Sequence, residues 1–159
     1  MKIELYTDGA ALGNPGPGGL GVVLRAGSYE KEISQGYRLT TNNRMELLAV
    51  IVGLESLKNK DSEVHVYSDS QYVVNAINLG WVFEWEKKKF AKKKNPDLWK
   101  RFLAIYRQHN VKISWIKGHA GHPENERCDV LSVNAAQNGS NLADEYYESE
   151  VKKDPSLFD

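Results

Sequence analysis

The chain has 159 residues, 41% of them apolar and 26% charged, with 21 basic residues against 21 acidic ones. That length and composition describe one globular domain, large enough to bury a core without disulfide or metal staples. No apolar run approaches the ~18 residues of a membrane span, the start Met1-Lys2-Ile3-Glu4 carries no signal-peptide pattern, and the single cysteine, Cys128, excludes an intrachain disulfide. A lone cysteine suits a reducing compartment, so a cytoplasmic protein is expected, with monomer as the default state.

Residues 2–8 (KIELYTD) alternate Ile3, Leu5 and Thr7 with Lys2, Glu4 and Tyr6, which predicts a strand. The stretch 9–19 holds five glycines and two prolines and reads as a loop. Residues 20–25 and 30–37 predict two more strands, joined by a turn at 26–28, and such short connections imply antiparallel pairing. Asn42 or Asn43 is an N-cap candidate for a helix over about 43–58, in which Met45, Leu48, Ala49, Val52 and Leu57 recur at helical spacing.

Residues 63–68 (EVHVYS) predict a fourth strand, and Asp69-Ser70 caps a helix to residue 78. Residues 81–94 read as a short helix and loop, and Pro96 opens a helix to about residue 109. A fifth strand is expected over 111–116, a loop over 118–123 and a helix over 124–136. The rest, 138–159, is polar and acidic and reads as a mobile tail behind a folded unit of residues 1–137. Three strands in hairpins and two joined through helices predict an α/β fold, a five-stranded mixed sheet covered by helices.

The balanced total charge conceals local imbalance. Between Glu84 and Arg101 eight basic residues face three acidic ones, a net +5, and the same segment with its approach contains Trp81, Trp85, Phe90 and Trp99. Lysines for phosphates and aromatic faces for sugars or bases suit nucleic acid, although a solvated lysine-rich helix explains the charges equally well. Residues 141–159 carry six acids against two lysines, a net −4. Such a tail could fold onto the basic segment and compete with nucleic acid, in which case truncation at Gly139 would tighten binding at low salt.

Four acids occupy informative places. Asp8 and Asp69 end strands, Glu46 sits early in the long helix, and Asp129 lies in the first turns of the last helix. Ligands of open α/β sheets bind beyond the carboxyl ends of strands, so Asp8 and Asp69 converge if their strands are parallel neighbours. Clustered carboxylates repel one another and call for hard cations, Mg²⁺ or Mn²⁺, and two such ions ~3.5–4 Å apart suit phosphodiester hydrolysis. Strand ends and helix starts attract acids anyway. Taken one at a time, that is the stronger explanation of each, most plainly for Asp69 before Ser70.

Neutral polar residues accompany the acids. Gly9 and Asn14 follow Asp8, Thr41-Asn42-Asn43 precede Glu46, and Gln71 follows Asp69. Backbone without side chains permits close approach of a polynucleotide, and short polar side chains at a helix start suit phosphate or sugar. His119, ten residues before Asp129 in a glycine-containing loop, could relay protons near neutral pH. His122 is a weaker candidate, and His65, inside a strand, reads as structural.

Five segments in order resemble ribonuclease H of the bacterial type I family: YTDGAALGNPGPGG (6–19), TTNNRMELLAVIVGLE (40–55), SDSQYVVNAI (68–77), DLWKRF (97–102) and WIKGHAGHPENERCD (115–129). The resemblance spans about residues 1–137. It implies a ribonuclease H-like fold with helices on both sheet faces and hydrolysis of the RNA strand of RNA/DNA hybrids. It also implies little sequence specificity, two Mg²⁺ ions, and 5′-phosphate and 3′-hydroxyl product ends. The family's metal-binding acids fall on Asp8, Glu46, Asp69 and Asp129, its mobile histidine on His119, and its hybrid contacts on Gly9, Asn14, Thr41, Asn42, Asn43 and Gln71. The basic segment resembles the family's DNA-gripping protrusion, with Trp81 as its aromatic contact and Lys87, Lys88 and Lys89 among its cations. One departure follows Asp129, where the family reads Glu-Leu-Ala and this chain has Val130-Leu131-Ser132. A different nuclease of the same fold class, a hybrid-binding module without catalysis, and a domain of a reverse transcriptase are the alternatives.

Overall fold

In the computed structural model, residues 2–139 and 142–154 are described. The element order is β1 (Lys2–Ala11), β2 (Gly16–Ala26), β3 (Tyr29–Thr40), α1 (Asn42–Glu55), β4 (Glu63–Ser68), α2 (Gln71–Asn78), α3 (Trp81–Lys87), α4 (Pro96–Tyr106), β5 (Asn110–Trp115), α5 (Pro123–Asn138) and α6 (Glu145–Lys153). The five strands form one sheet in the order β3-β2-β1-β4-β5. The pairs β1–β2 and β2–β3 are antiparallel, as short hairpin connections require, while β1–β4 and β4–β5 are parallel, as helical crossovers require.

The glycine-rich stretch is mostly strand, contrary to the loop read from its composition. Only residues 12–15 separate β1 from β2, because Ala10 and Ala11 still pair with Gly19 and Gly18. The glycines of β2 serve packing: a Cβ on Gly21 would lie 2.4 Å from the carbonyl oxygen of Cys128. Their bare backbone lets α5 settle directly on the sheet, and α5 packs against β1, β2 and β3.

On the opposite face α1 is buried on nearly every side, with Met45, Leu47, Ala49, Val50, Ile51 and Leu54 all sealed from solvent. A helix apolar all round belongs in an interior, and α1 lies between the sheet and α4. Its N-cap is Thr41, whose hydroxyl accepts from the Arg44 amide at 3.2 Å, rather than Asn42 or Asn43. Trp99 of α4 anchors the second layer, fully buried with edge-on contacts to Tyr72, Trp85 and Phe102 at 5.7–5.8 Å.

The acidic C-terminal segment departs from the mobile tail expected of it. Residue Leu142 bridges to Tyr37 beside β3, and α6 buries Tyr147 and Val151. Asp144 accepts from Arg44 Nε at 2.7 Å and from Thr40 Oγ1 at 2.8 Å, and Glu148 pairs with Arg38 at 2.8 Å. Net charge concealed this, because Asp144 and Glu148 answer particular arginines of the folded body rather than the lysine segment. The remainder of that segment, 140–141 and 155–159, lies outside the described residues.

Candidate active site

The parallel register of β1 and β4 pairs Thr7 with Ser68, so Asp8 and Asp69 follow as neighbours at the carboxyl ends of adjacent strands. Gly9 brings in the third acid. A Cβ there would stand 2.3 Å from the carbonyl carbon of Met45 and 2.4 Å from the Glu46 amide, so only glycine lets β1 pass directly beneath the start of α1. The close approach of α5 at Gly21 brings in the fourth, because Asp129 follows Cys128 immediately. Ser70, not Asp69, caps α2, accepting from the Val73 amide at 3.2 Å, which leaves the Asp69 carboxylate to the site.

The four acids feel one another. Asp8 is 8% exposed, and its carboxyl is pushed up to about 8. Burial is the main cause, repulsion from Asp69, Asp129 and Glu46 adds to it, and the Gly9 amide donating at 2.8 Å only partly offsets them. Glu46 is pushed up to about 7, by burial first and then by Asp69, against a hydrogen bond from Ser70. Asp69 is also raised, by burial first with Asp129 adding, while His119 and Asn125 favour its charged form.

Asn125 was missed in the sequence. It lies one helical turn before Asp129, is 3% exposed, and its Nδ2 is buried without a hydrogen-bond partner among the described residues. An orphaned buried donor in a folded protein calls for an explanation, and here the amide is turned toward Asp69, whose charged form it favours without closing a full hydrogen bond. The i, i+4 spacing of Asn125 and Asp129 on a helix start was the available signal.

His119 is exposed and takes a left-handed backbone, φ 55°. Its neighbour Gly118 lies against Asp69, where an added Cβ would sit 2.7 Å from Oδ2. Trp115 Nε1 donates to the Asp69 carbonyl at 3.1 Å, so the end of β5 and the start of the histidine loop are tied to the acid. His122 precedes α5 as its first flanking residue and makes no side-chain cap.

The neutral polar residues gather at the same end of the sheet, though several already have structural partners. Asn42 Oδ1 accepts from the Ala11 amide at 2.6 Å, and Asn14 Oδ1 accepts from the Asn42 amide at 3.2 Å, which laces the 12–15 loop to the start of α1. Asn14, Asn43 and Gln71 are exposed, and Gln71 opens α2.

The basic segment corrects one reading. Trp99 is core, Phe90 is 6% exposed, and Trp85 is half-buried under Lys93, whose ammonium lies 5.4 Å from the ring centre. These aromatics fasten the protrusion to the body instead of facing a ligand. Trp81 alone of the four is an open face, at 46% exposure, with Lys87, Lys88 and Lys89 exposed beyond it.

The donor set suits a hard divalent cation, since all four acids offer carboxylate oxygen. Among the described residues no three His, Cys, Asp or Glu side chains close into a ready-made metal cage. Ionised carboxylates with nothing between them hold apart, and a cation would remove the repulsion that lifts Asp8 and Glu46.

Comparison with known proteins gives the family. The RNase H family model matches residues 1–137. The chain belongs to the ribonuclease H family. A ribonuclease H of Desulforamulus reducens is 59% identical over 141 residues, covering 86% of this chain and 88% of that protein. Among solved structures, LC9-RNase H1, a type 1 RNase H with the type 2 active-site motif, is 31% identical with a TM-score of 0.77, covering 92% of this chain and 79% of that one. LC11-RNase H1, solved in complex with an RNA/DNA hybrid, is 30% identical with a TM-score of 0.64, covering 86% of this chain and 98% of that one. The ribonuclease H match stops within α5, so α6 and its ion pairs lie beyond it. Val130 is 55% exposed, and Ser132 donates to the Asp129 carbonyl at 2.9 Å, so neither residue meets the Asp129 carboxylate through a hydrogen bond.

Proposed function

We propose that the chain is an endoribonuclease that hydrolyses the RNA strand of RNA/DNA hybrids with little sequence preference, leaving 5′-phosphate and 3′-hydroxyl ends. Two Mg²⁺ ions, or Mn²⁺, would be held by Asp8, Glu46, Asp69 and Asp129. When bound, such ions supply an activated water and stabilise the leaving oxygen of an in-line displacement. The observation that carries this reading is the convergence of four carboxylates delivered to one end of the sheet by β1, α1, the end of β4 and α5, with Asp8 feeling the other three. Other support comes from the hybrid-bound relative of the same fold.

The chain's own residues do the rest. Asp8 and Asp69, as neighbouring strand ends, would face both ions, with Glu46 and Asp129 serving one each. Gly9, Asn14, Thr41, Asn42, Asn43 and Gln71 would meet the sugar-phosphate backbones, and 2′-hydroxyls rather than base edges would distinguish RNA from DNA. Trp81 and Lys87–Lys89 would hold the DNA strand. His119, exposed beside Asp69, would relay a proton or help the product leave. Asn125 would turn its buried N–H toward the Asp69 carboxylate and steady its charged form.

The deciding experiment is cleavage of an end-labelled RNA/DNA hybrid with Mg²⁺, alongside duplex RNA, duplex DNA and the Asp69→Asn variant. The expected result is cutting of the RNA strand of the hybrid alone, reduced at least ~10²-fold in the variant. Cutting of duplex DNA, or tight hybrid binding without turnover, would replace this reading with a different nuclease or a binding module.

A further inference from the structure

One well-formed groove lies away from the carboxylates. It has a volume of about 480 Å³ and opens on the sheet face at the amino ends of β1, β4 and β5. Strand alternation explains why that face is bare. Val64, Val66 and Ser68 of β4 turn inward and are buried, so His65, Tyr67 and Asp69 share the opposite face. On that face α5 packs against β1, β2 and β3, and the rings of His65 and Tyr67 stay half-exposed.

Those rings form a stack. Tyr6 and Tyr67 are paired in register, with centroids 4.8 Å apart and planes 13° from parallel, and His65 lies on Tyr67 at 4.1 Å and 14°. Hydrogen bonds fix it: Ser114 Oγ lies 2.7 Å from His65 Nε2, and the Tyr67 hydroxyl 3.2 Å from His65 Nδ1. The groove is lined by His65 and Tyr67 but not by Tyr6, so it opens at the histidine end, where a further planar ring can be added. Lys2 and Lys112 flank that end, and Glu4, whose carboxylate accepts from the Tyr6 hydroxyl at 3.1 Å, lies opposite His65.

We propose that this groove is a second nucleic-acid subsite, which takes single-stranded RNA running on from the duplex at the carboxylates. Its bases would extend the Tyr6–Tyr67–His65 stack, and its phosphates would lie along Lys2 and Lys112. Continuity carries the assignment. Tyr6 and Tyr67 precede Asp8 and Asp69 by two residues on the same strands and the same face, roughly 7 Å away, with His65 roughly 13 Å away. The inference rests on the proposed reading that the RNA strand is the one crossing Asp8 and Asp69. Its continuation is then the strand that meets the groove. Stacking is tolerant of sequence, and the mixed charge of the rim makes stacking the main source of affinity.

The test compares a blunt hybrid with the same hybrid carrying an RNA extension at its 5′ or 3′ end, with Mg²⁺. Binding is measured in the Asp69→Asn background, with and without His65→Ala or Lys112→Glu. An extension at one end only should tighten binding about tenfold, and each variant should reduce that gain. Blunt-hybrid cutting by the single variants His65→Ala and Lys112→Glu should stay at the wild-type rate, which also shows that they fold. No gain from either extension, an equal gain from both, or a gain untouched by both variants would overturn the proposal and leave the groove to another occupant. Failure of the wild-type chain to cut the blunt hybrid would instead remove the nuclease reading on which it rests.

Discussion

Asp8 and Glu46 combine stability and function in two side chains. Their carboxyls sit near 8 and 7 in the folded chain, against ordinary values of 3.8 and 4.5. A raised carboxyl favours the folded state while both states are protonated, and that advantage is lost as pH climbs to the folded value. The metal-free protein should therefore lose stability between about pH 4 and 8. Asp8→Asn should flatten that decline in thermal melts with a chelator, raising Tm at pH 8 by roughly 2–4 °C for each kcal/mol of repulsion removed. Added Mg²⁺ should stabilise the wild-type chain more at pH 8 than at pH 6. Parallel wild-type and Asp8→Asn melting curves across that range would contradict the mutual repulsion. The acids were legible in the sequence because strand-end and helix-start positions could be read from local periodicity. Asn125 was not, because an unpartnered amide is defined by what surrounds it.

At the scale of elements, one buried guanidinium ties the segment before α6 to both α1 and α4. Arg44 is 2% exposed and bonds both oxygens of Asp97 in α4, at 2.9 and 2.7 Å, and both of Asp144 before α6, at 2.7 and 2.9 Å. It stands two residues before Glu46, so the network fixes the start of α1 from the side away from the sheet. Breaking a buried ion pair by removing one partner costs about 3 kcal/mol or more. Asp144→Ala should accordingly lower Tm by roughly 6–12 °C, and truncation after Gly139 should do at least as much. Neither should tighten hybrid binding at low salt, since Glu148 and Asp144 are engaged by Arg38 and Arg44. A truncated chain of unchanged Tm and higher affinity would restore the competing-tail idea.

The whole molecule divides its labour between a sheet end that gathers acids and a protrusion that presents cations. Lys87 at the end of α3 and Lys88 and Lys89 just after it stand in solvent, while Phe83 and Trp85 of that helix are half-buried against the body and Trp81 stays exposed. Replacing all three by alanine should raise KM for the hybrid and leave kcat nearly unchanged. It should also flatten the dependence of log Kd on log salt by roughly two to three units, about 0.9 for each phosphate no longer neutralised. An unchanged salt slope would put the DNA strand elsewhere.

Five strands, the helices up to α5, the four acids and the family resemblance could be read from the chain before folding, while the strand ends in the glycine-rich stretch and α6 could not. Periodicity and ordered motifs are local properties, and folding left them in place while it moved the cap of α1 to Thr41. What each segment packs against was settled only in three dimensions. There the glycine stretch became strands that receive α1 and α5, and three aromatics of the basic segment became supports for it. The acidic tail became a docked helix, and the ring stack came to lie beside the acids. Those outcomes depend on partners distant in the chain: Gly9 on Met45, Asp144 on Arg44, Tyr6 on Tyr67. Such pairs exist only once strand order and register bring them together.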